Sequence, residues 1–140
     1  NAASITGLGD LVGGIFSSTA RAVSNDGSVV VGSSVGANGT EAFRWTSATG
    51  MQGLGDLPGG AFHSEAHGVS ADGSVIVGSS NSTDANREQA FRWTEGTGMT
   101  GLGDLTGTLI RSAAYDISAD GSTTVGRGQS AVGVDAFIHE

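Results

Sequence analysis

Residues 68–80 have the sequence Gly-Val-Ser-Ala-Asp-Gly-Ser-Val-Ile-Val-Gly-Ser-Ser, and the pattern Ser-x-Asp-Gly-Ser within them occurs three times in the chain. The copies begin at Ser24, Ser70 and Ser118, so they are 46 and then 48 residues apart. An Asp-Gly pair is typical of a tight hairpin turn, because Gly adopts positive φ at little cost. The β-branched residues that follow the turn favour a strand. The sequence therefore predicts a repeated β-hairpin.

Two more motifs occur once in each repeat. Gly-Leu-Gly-Asp-Leu begins at Gly7, Gly53 and Gly101, always 17 residues before the hairpin motif. Ala-Phe-Arg-Trp-Thr begins at Ala42 and Ala90, and residues 136–140 are a degenerate third copy. Self-similarity at a fixed period is the sequence signature of a repeat architecture. Three copies of one structural unit are therefore predicted.

Each unit is predicted to contain four short strands. In the first complete unit these are residues 20–24, residues 28–33, a third strand around Phe43 and Trp45, and residues 51–57. Because Phe43 and Trp45 are two residues apart, their side chains share one face of the strand. No stretch keeps an apolar period of 3.6 residues, so helices are not expected.

The unit length and strand number match a blade of a β-propeller, and we predict an all-β propeller-type repeat domain. Its units are 12–57, 58–105, and 106–140 together with 1–11. Residues 5–11 resemble a fourth strand and residues 135–140 a third. We therefore predict that these two segments pair, so that the terminal blade is split between the two ends of the chain and no edge is left open.

Three blades are fewer than the usual four to eight. Three interpretations stay open. Identical chains could join, two of them closing a six-bladed ring, the chain could belong to a longer array, or the three units could form a self-contained barrel.

The composition excludes several classes of function. Among the 140 residues there are 25 Gly, no Cys and no Lys, and the net charge is −8. This charge argues against nucleic acid as a partner, because such binding depends on Lys and Arg. Without Cys there is no disulfide, thiolate metal site or thiol nucleophile. No apolar run approaches the roughly 20 residues of a membrane span. We expect neither a cofactor nor a membrane span.

Acidic residues recur at two places in the repeat. Asp10, Asp56 and Asp104 end the Gly-Leu-Gly-Asp segment, and a second set lies in the hairpin turn at Asp26, Asp72 and Asp120. A repeated carboxylate in a repeated turn usually accepts hydrogen bonds from backbone N–H groups. We predict this structural role for both sets.

One further group of residues could instead form a metal site. His63, Glu65 and His67 are two residues apart, so on a strand they would share a face as zinc or copper ligands. The corresponding residues of the other units are Ser17, Thr19 and Arg21, and Arg111, Ala113 and Tyr115. Because the set occurs only once, we predict no metal site. The sequence also lacks a nucleophile elbow, a phosphate loop and triad spacing, so we predict that the protein is not an enzyme.

Comparison of the units separates scaffold from surface. The segments 12–19, 58–65 and 106–113 and the loops 33–41, 79–89 and 127–135 differ between the units. Variable loops on a constant scaffold often carry recognition. Arg21, His67 and Tyr115 are equivalent in register but differ in chemistry, and each type of side chain can contact a sugar or a peptide. We predict that they bind a ligand, either a glycan or a surface protein.

The Gly-Leu-Gly-Asp-Leu motif, residues 68–80, Gln-Ala-Phe-Arg-Trp-Thr at 89–94 and Gly-Met at 98–99 together resemble the bacterial extracellular HAF repeats. The resemblance covers essentially the whole chain. It implies an extracellular or cell-surface location, since some such proteins look like autotransporter passengers, and it brings no catalytic residues. The third unit departs from the pattern at Ile138 and His139. The hypothesis is a non-enzymatic exported module that binds or adheres; the alternative is a structural spacer or a self-assembling filament subunit.

Overall fold

The computed structural model describes residues 3–82, 87–106 and 109–140, so parts of the variable segments 79–89 and 106–113 lie outside the described residues. The described chain forms three antiparallel sheets with their strands in chain order. The first sheet contains β1 (Gly13–Val23), β2 (Val30–Gly36), β3 (Gly39–Thr46) and β4 (Gly50–Gly53). The second sheet contains β5 (Ser64–Val69), β6 (Val75–Asn81), β7 (Glu88–Thr94) and β8 (Gly98–Gly103). The third sheet contains β9 (Ser112–Ile117), β10 (Thr124–Ser130) and β11 (Gly133–His139). The all-β repeat prediction is confirmed.

The Ser-x-Asp-Gly-Ser motif forms the turn between the first two strands of every sheet. In the second sheet Asp72 accepts hydrogen bonds from the Ser70 hydroxyl at 2.7 Å and from the Ser74 N–H at 3.0 Å. Gly73 has φ of 74°, which explains the glycine. These hydrogen bonds, that of Ser70 above all, lower the pKa of Asp72 to about 2. The equivalent bonds lower the pKa values of Asp26 and Asp120 to about 2 as well. The predicted role of these carboxylates is confirmed.

The first strand of each sheet has a β-bulge at the same position. In β5, Ala66 lies opposite Gly78 and Gly68 lies opposite Val77, so His67 is left without a partner residue. A bulge adds one residue to one strand and redirects its side chain. The equivalent bulged residues of β1 and β9 are Arg21 and Tyr115.

The hydrophobic core lies between neighbouring sheets. One cluster joins Val31 and Ala42 of the first sheet to Ala66, Ile76 and Phe91 of the second. The second cluster repeats this arrangement between the second and third sheets. Burial of apolar surface therefore comes from stacking one sheet on the next, as expected for repeats that cannot bury their faces alone. The prediction that the third strand directs its Phe side chain into the core is confirmed by Phe43 and Phe91, both fully buried.

The prediction that residues 5–11 pair with residues 135–140 is wrong for this chain. Residues 3–11 form no strand, and β11 is the outer edge of a three-stranded sheet. The segment follows the first sheet instead, where the Leu11 N–H donates to Ser34 Oγ at 2.9 Å and the Gly9 carbonyl accepts from the Ser18 hydroxyl at 2.7 Å.

The geometry of the repeat explains this correction. The segment before each first strand binds to the sheet that follows it, as Leu57 does to Ser80 of β6 at 2.8 Å. The start of the chain is therefore fixed to the first sheet. Among the described strands, extensive contact exists only between consecutive sheets, so the second sheet separates residues 5–11 from β11.

Candidate functional site

The three residues predicted to bind a ligand lie side by side on the first strands of the sheets. β1, β5 and β9 are neighbours, and their bulges project Arg21, His67 and Tyr115. The ring centroids of His67 and Tyr115 are 5.8 Å apart. The guanidinium of Arg21 lies 3.0 Å from the carboxylate of Glu65, the residue two before His67. Equivalent positions in three repeats thus form one continuous surface.

Arg127 joins this surface from β10. Its guanidinium carbon lies 6.0 Å from the centroid of the Tyr115 ring, within the range of a cation–π contact. A guanidinium nitrogen also lies 3.7 Å from a carboxylate oxygen of Glu88. Arg127 was not among the predicted site residues. The sequence did contain an indication, because the equivalent residues in the other repeats are Ser33 and Ser79. We call Arg21, Glu65, His67, Tyr115 and Arg127 the bulge row.

The charges of the bulge row are paired but accessible. The Glu65 side chain is 26% exposed and that of Arg127 is 49% exposed. Ion pairs with such exposure contribute about 0–1 kcal/mol to stability. Their carboxylates and guanidinium groups can therefore exchange a protein partner for a ligand at little energetic cost. Tyr115, with 46% of its surface exposed, adds an open aromatic face.

Two clefts that contain polar side chains lie beside the bulge row. One, of about 240 Å³, lies next to Arg21 and Glu65 and is lined by Ser and Thr side chains that include Thr19 and Ser33. The other, of about 200 Å³, is lined by Arg127 and Gln129 together with Arg111 and Val134. The aromatic and charged groups of the row therefore have hydroxyl and amide groups close by.

His67 is the titratable group at the centre of the row. Its burial, together with repulsion from Arg21, lowers its pKa below the ordinary value, although Glu65 and Glu88 act in the opposite direction. The imidazole is therefore neutral near pH 7, and a neutral imidazole has one donor and one acceptor nitrogen. Its Nε2 lies 3.4 Å from the Ser79 hydroxyl.

We expect His67 to titrate below pH 6.5 in the folded protein, and the variant Arg21→Ala to raise its pKa because repulsion is removed and solvent gains access. Because folding lowers the pKa of His67, the contribution of this histidine to the free energy of unfolding is present above pH 6.5. This contribution is lost as the pH falls through the folded-state pKa. NMR titration of the imidazole signals, assigned with His67→Gln, measures the effect. A folded-state pKa at or above 6.5 would contradict this assignment.

The structure also shows how His63, Glu65 and His67, the residues of the zinc or copper alternative, are arranged. His63 Nε2 lies 3.6 Å from Glu65 Oε1, whereas His67 contacts Ser79 and Tyr115. His63 precedes β5, and the bulge at His67 breaks the two-residue alternation on which the alternative depended. Within the described ranges, no group of three or more His, Asp or Glu side chains is arranged to hold a metal ion.

The carboxylate of Asp104 accepts backbone hydrogen bonds, as predicted. One oxygen accepts from the N–H groups of Leu105 and Gln129, both at 2.8 Å, and the other accepts from Arg111 at 2.6 Å. In the first two units a serine hydroxyl of the second strand binds the equivalent leucine N–H, whereas the third unit has Gly128 at that position. Asp104 thus replaces a missing hydroxyl. For Asp56, burial raises the pKa of the carboxyl group.

These features define a β-propeller-like repeat protein with a row of polar side chains at the bulges of its first strands. The chain is similar to the crystal structure of TolB from Acinetobacter baumannii, with a TM-score of 0.60 and 19% sequence identity. The match covers 91% of this chain and 30% of the TolB chain, and at this identity the likeness is one of fold. No family model and no curated protein matches the sequence. In the described part of the chain, no helix has the length and apolar character needed to cross a membrane.

Proposed function

We propose that this chain is a non-enzymatic, exported binding module of the HAF-repeat type, and that its bulge row holds a glycan. The observation that carries the proposal is the convergence of Arg21, His67 and Tyr115 from three separate repeats on one surface. Bulges often occur next to functional sites because they redirect side chains. The HAF resemblance supports an extracellular or cell-surface location.

The chemistry of the row favours a sugar over other ligands. The exposed face of Tyr115 suits the apolar face of a pyranose ring, while paired guanidinium and carboxylate groups suit its hydroxyls. Because Arg21 and Arg127 are each matched by a carboxylate, the row offers no uncompensated positive charge. We therefore expect a neutral oligosaccharide rather than an anionic one. A protein at the cell surface is the alternative ligand.

The proposal is tested by screening the fluorescently labelled protein against an array of neutral and acidic oligosaccharides, followed by calorimetric titration of any sugar that binds. Tyr115→Ala and Arg21→Ala should each weaken binding about tenfold, the scale of one aromatic or charge-assisted contact. Gln52→Ala, at an exposed position of β4 outside the row, should bind like the unaltered protein.

The controls separate the site from the fold. Both row variants must unfold at the same urea concentration as the unaltered protein, since Tyr115 is half exposed and Arg21 forms only a surface ion pair. If no oligosaccharide binds, or if the row variants bind as well as Gln52→Ala does, the glycan assignment is wrong. Binding to a purified surface protein that depends on the same residues would instead support the alternative ligand.

A structural role is the second candidate, and one observation favours it. Large apolar side chains are exposed on the two outer sheets, including Phe16 at 82% and Val125 at 44%. Such surfaces often mark protein contacts. A spacer or filament subunit would assemble through them into an open series of sizes, which sedimentation velocity would detect as species that grow with concentration.

A further inference from the structure

The two junctions between neighbouring sheets are built from the same set of hydrogen bonds, each donated by a backbone N–H. Between the first and second sheets, the Asn25 N–H donates to the Ala71 carbonyl, and the Ala42 N–H donates to Ser64 Oγ, both at 2.9 Å. Between the second and third sheets the corresponding bonds, also at 2.9 Å, are Ala71 N–H to the Ala119 carbonyl and Ala90 N–H to Ser112 Oγ. Each sheet donates to the sheet that follows it.

The apolar contacts of the junctions also repeat. Gly73 of the second sheet lies so close to Val29 of the first that a Cβ on this glycine would overlap the valine side chain. A Cβ on Gly121 of the third sheet would likewise lie 2.9 Å from the Val75 side chain of the second. Glycine in the turn is thus required by the neighbouring sheet as well as by its positive φ. The junction is a fixed pattern rather than a general apolar contact.

The first sheet carries the accepting half of this pattern on a face that no other described sheet covers. Ser18 donates to the Gly9 carbonyl, as Ser64 does to Gly55, but no N–H of a described residue donates to the Ser18 oxygen. Ala20 is exposed, whereas its equivalents Ala66 and Ala114 are fully buried. Space is open beside Gly27, where a Cβ would meet no atom within 4 Å. The carbonyl of Asn25 completes the set, because it accepts no hydrogen bond within the described chain.

The third sheet carries the donating half. The Ala119 N–H has no partner among the described residues, and no serine in the described ranges accepts a hydrogen bond from the N–H of Ala136, the equivalent of Ala42 and Ala90. Val125 is 44% exposed, whereas Val31 and Val77 at the same position are fully buried. The edge of β11 is open, and an apolar cleft of about 150 Å³ lined by Leu102, Phe137 and Ile138 runs beside it.

We propose that a second copy of this chain docks head to tail, so that the third sheet of one copy stacks on the first sheet of the other. The free donors at Ala119 and Ala136 then meet the free acceptors at Asn25 and Ser18. Residues 5–11 of the incoming copy, which correspond to the segment containing β4, add a fourth strand to β11. The chain already forms this junction twice, and one molecule carries both an unpaired accepting half and an unpaired donating half. A second copy of the same chain therefore fits the open faces.

Two copies form two such junctions, which closes a ring of six sheets. Six lies within the four to eight blades that closed propellers use, whereas three copies would give nine. A head-to-tail contact that closes gives a discrete oligomer, while one that does not close gives a filament. The arrangement is therefore a closed dimer. This inference is independent of the glycan proposal.

Sedimentation equilibrium across the micromolar range tests the dimer. The unaltered chain should be dimeric, and added salt should strengthen association because each copy carries a net charge of −8. Ala20→Glu places a charge on the accepting face at a position already exposed in the monomer, so it should give a folded monomer. Ala48→Glu, at an exposed position of the turn between β3 and β4, should remain dimeric. Val125→Glu, on the donating face, should give a monomer as well.

The orientation is tested with cysteines, since the natural sequence contains none. Ser18→Cys and Ala136→Cys are prepared as separate variants and treated with a short bismaleimide, alone and mixed. Head-to-tail docking predicts covalent dimers only in the mixture. A monomeric unaltered chain, an open series of sizes, a dimer that survives Ala20→Glu, or cross-linking of either variant alone would each overturn the proposal.

Discussion

Replacement of Gly78 by alanine should lower the free energy of unfolding by about 3 kcal/mol, the upper range for overpacking a well-packed core. The reason is the bulge opposite this glycine in β5. A Cβ at position 78 would overlap the carbonyl oxygen of Glu65, a backbone atom that cannot rotate away, and would lie 2.9 Å from the Ala66 Cα. The strand must therefore lose its bulge or separate from β6. Urea denaturation followed by circular dichroism measures the loss.

Gly96→Ala is the matched control. A Cβ at Gly96 would meet no atom within 4 Å, and its φ is not positive. This change should therefore leave stability within about 0.5 kcal/mol of the unaltered protein. Equal effects of the two substitutions would show that the close approach at Gly78 is not required. If Gly78→Ala does not fold, Gly32→Ala tests the same contact in the first sheet, where β1 is exposed and can rearrange.

The same glycine connects the fold to the proposed site. Because the bulge projects His67, a rearrangement forced by Gly78→Ala should move the imidazole away from Tyr115. The imidazole signal of His67 would then approach that of a solvated histidine. This second measurement distinguishes loss of the bulge from a general loss of packing.

Phe91→Ala should destabilise the protein by about 3–5 kcal/mol, the usual range for truncating a buried phenylalanine. Phe91 is fully buried between the first and second sheets, in contact with the cluster that includes Val31, Ala66 and Ile76. Removal of its ring leaves a cavity that stacked sheets cannot readily collapse. A domain of this size has about 5–15 kcal/mol of stability in total, so the variant should be close to unfolding at 37 °C.

Phe16→Ala provides the comparison. Phe16 is 82% exposed, so in the monomer its truncation should change stability by no more than about 0.5 kcal/mol. The measurement is made at concentrations at which the chain is monomeric, because Phe16 belongs to β1 of the first sheet, on which the second copy is proposed to stack. Phe91→Leu, which keeps most of the volume, should lose less than about 1.5 kcal/mol and covers the case in which Phe91→Ala does not fold. Similar losses for Phe16→Ala and Phe91→Ala would contradict this core assignment.

The local rules of the sequence predicted the units well. The Asp-Gly pairs are turns with glycine at positive φ, as at Gly27, and the turn carboxylates accept backbone hydrogen bonds as expected, as Asp26 does from the Ser28 N–H. The alternation around Phe43 correctly placed this side chain in the core. These features depend on interactions within a few residues or within one hairpin, and the sequence expresses such interactions directly.

The row of ligand-binding candidates was only partly predictable. Arg21, His67 and Tyr115 could be identified because they occupy the same position in the three repeats, and comparison of the repeats reveals which positions vary. It did not identify Arg127, which reaches Tyr115 from the neighbouring strand. The interpretation of His63 as a possible partner of His67 assumed an ideal strand, and the bulge invalidates that assumption.

The sequence by itself determined that the chain folds as repeated four-stranded β-units, where each turn lies and which aromatic face is buried, because hydrogen bonds and periodicity within a hairpin are local. Only the tertiary structure decided where the ends of the repeat belong. The sequence pattern allows residues 5–11 to complete the sheet of β11, but the chain is already fixed to the first sheet through Leu11, and the second sheet separates the two. Whether a terminal segment pairs with a given edge strand depends on how whole sheets stack. Stacking involves contacts between residues far apart in the chain, which local sequence patterns do not express.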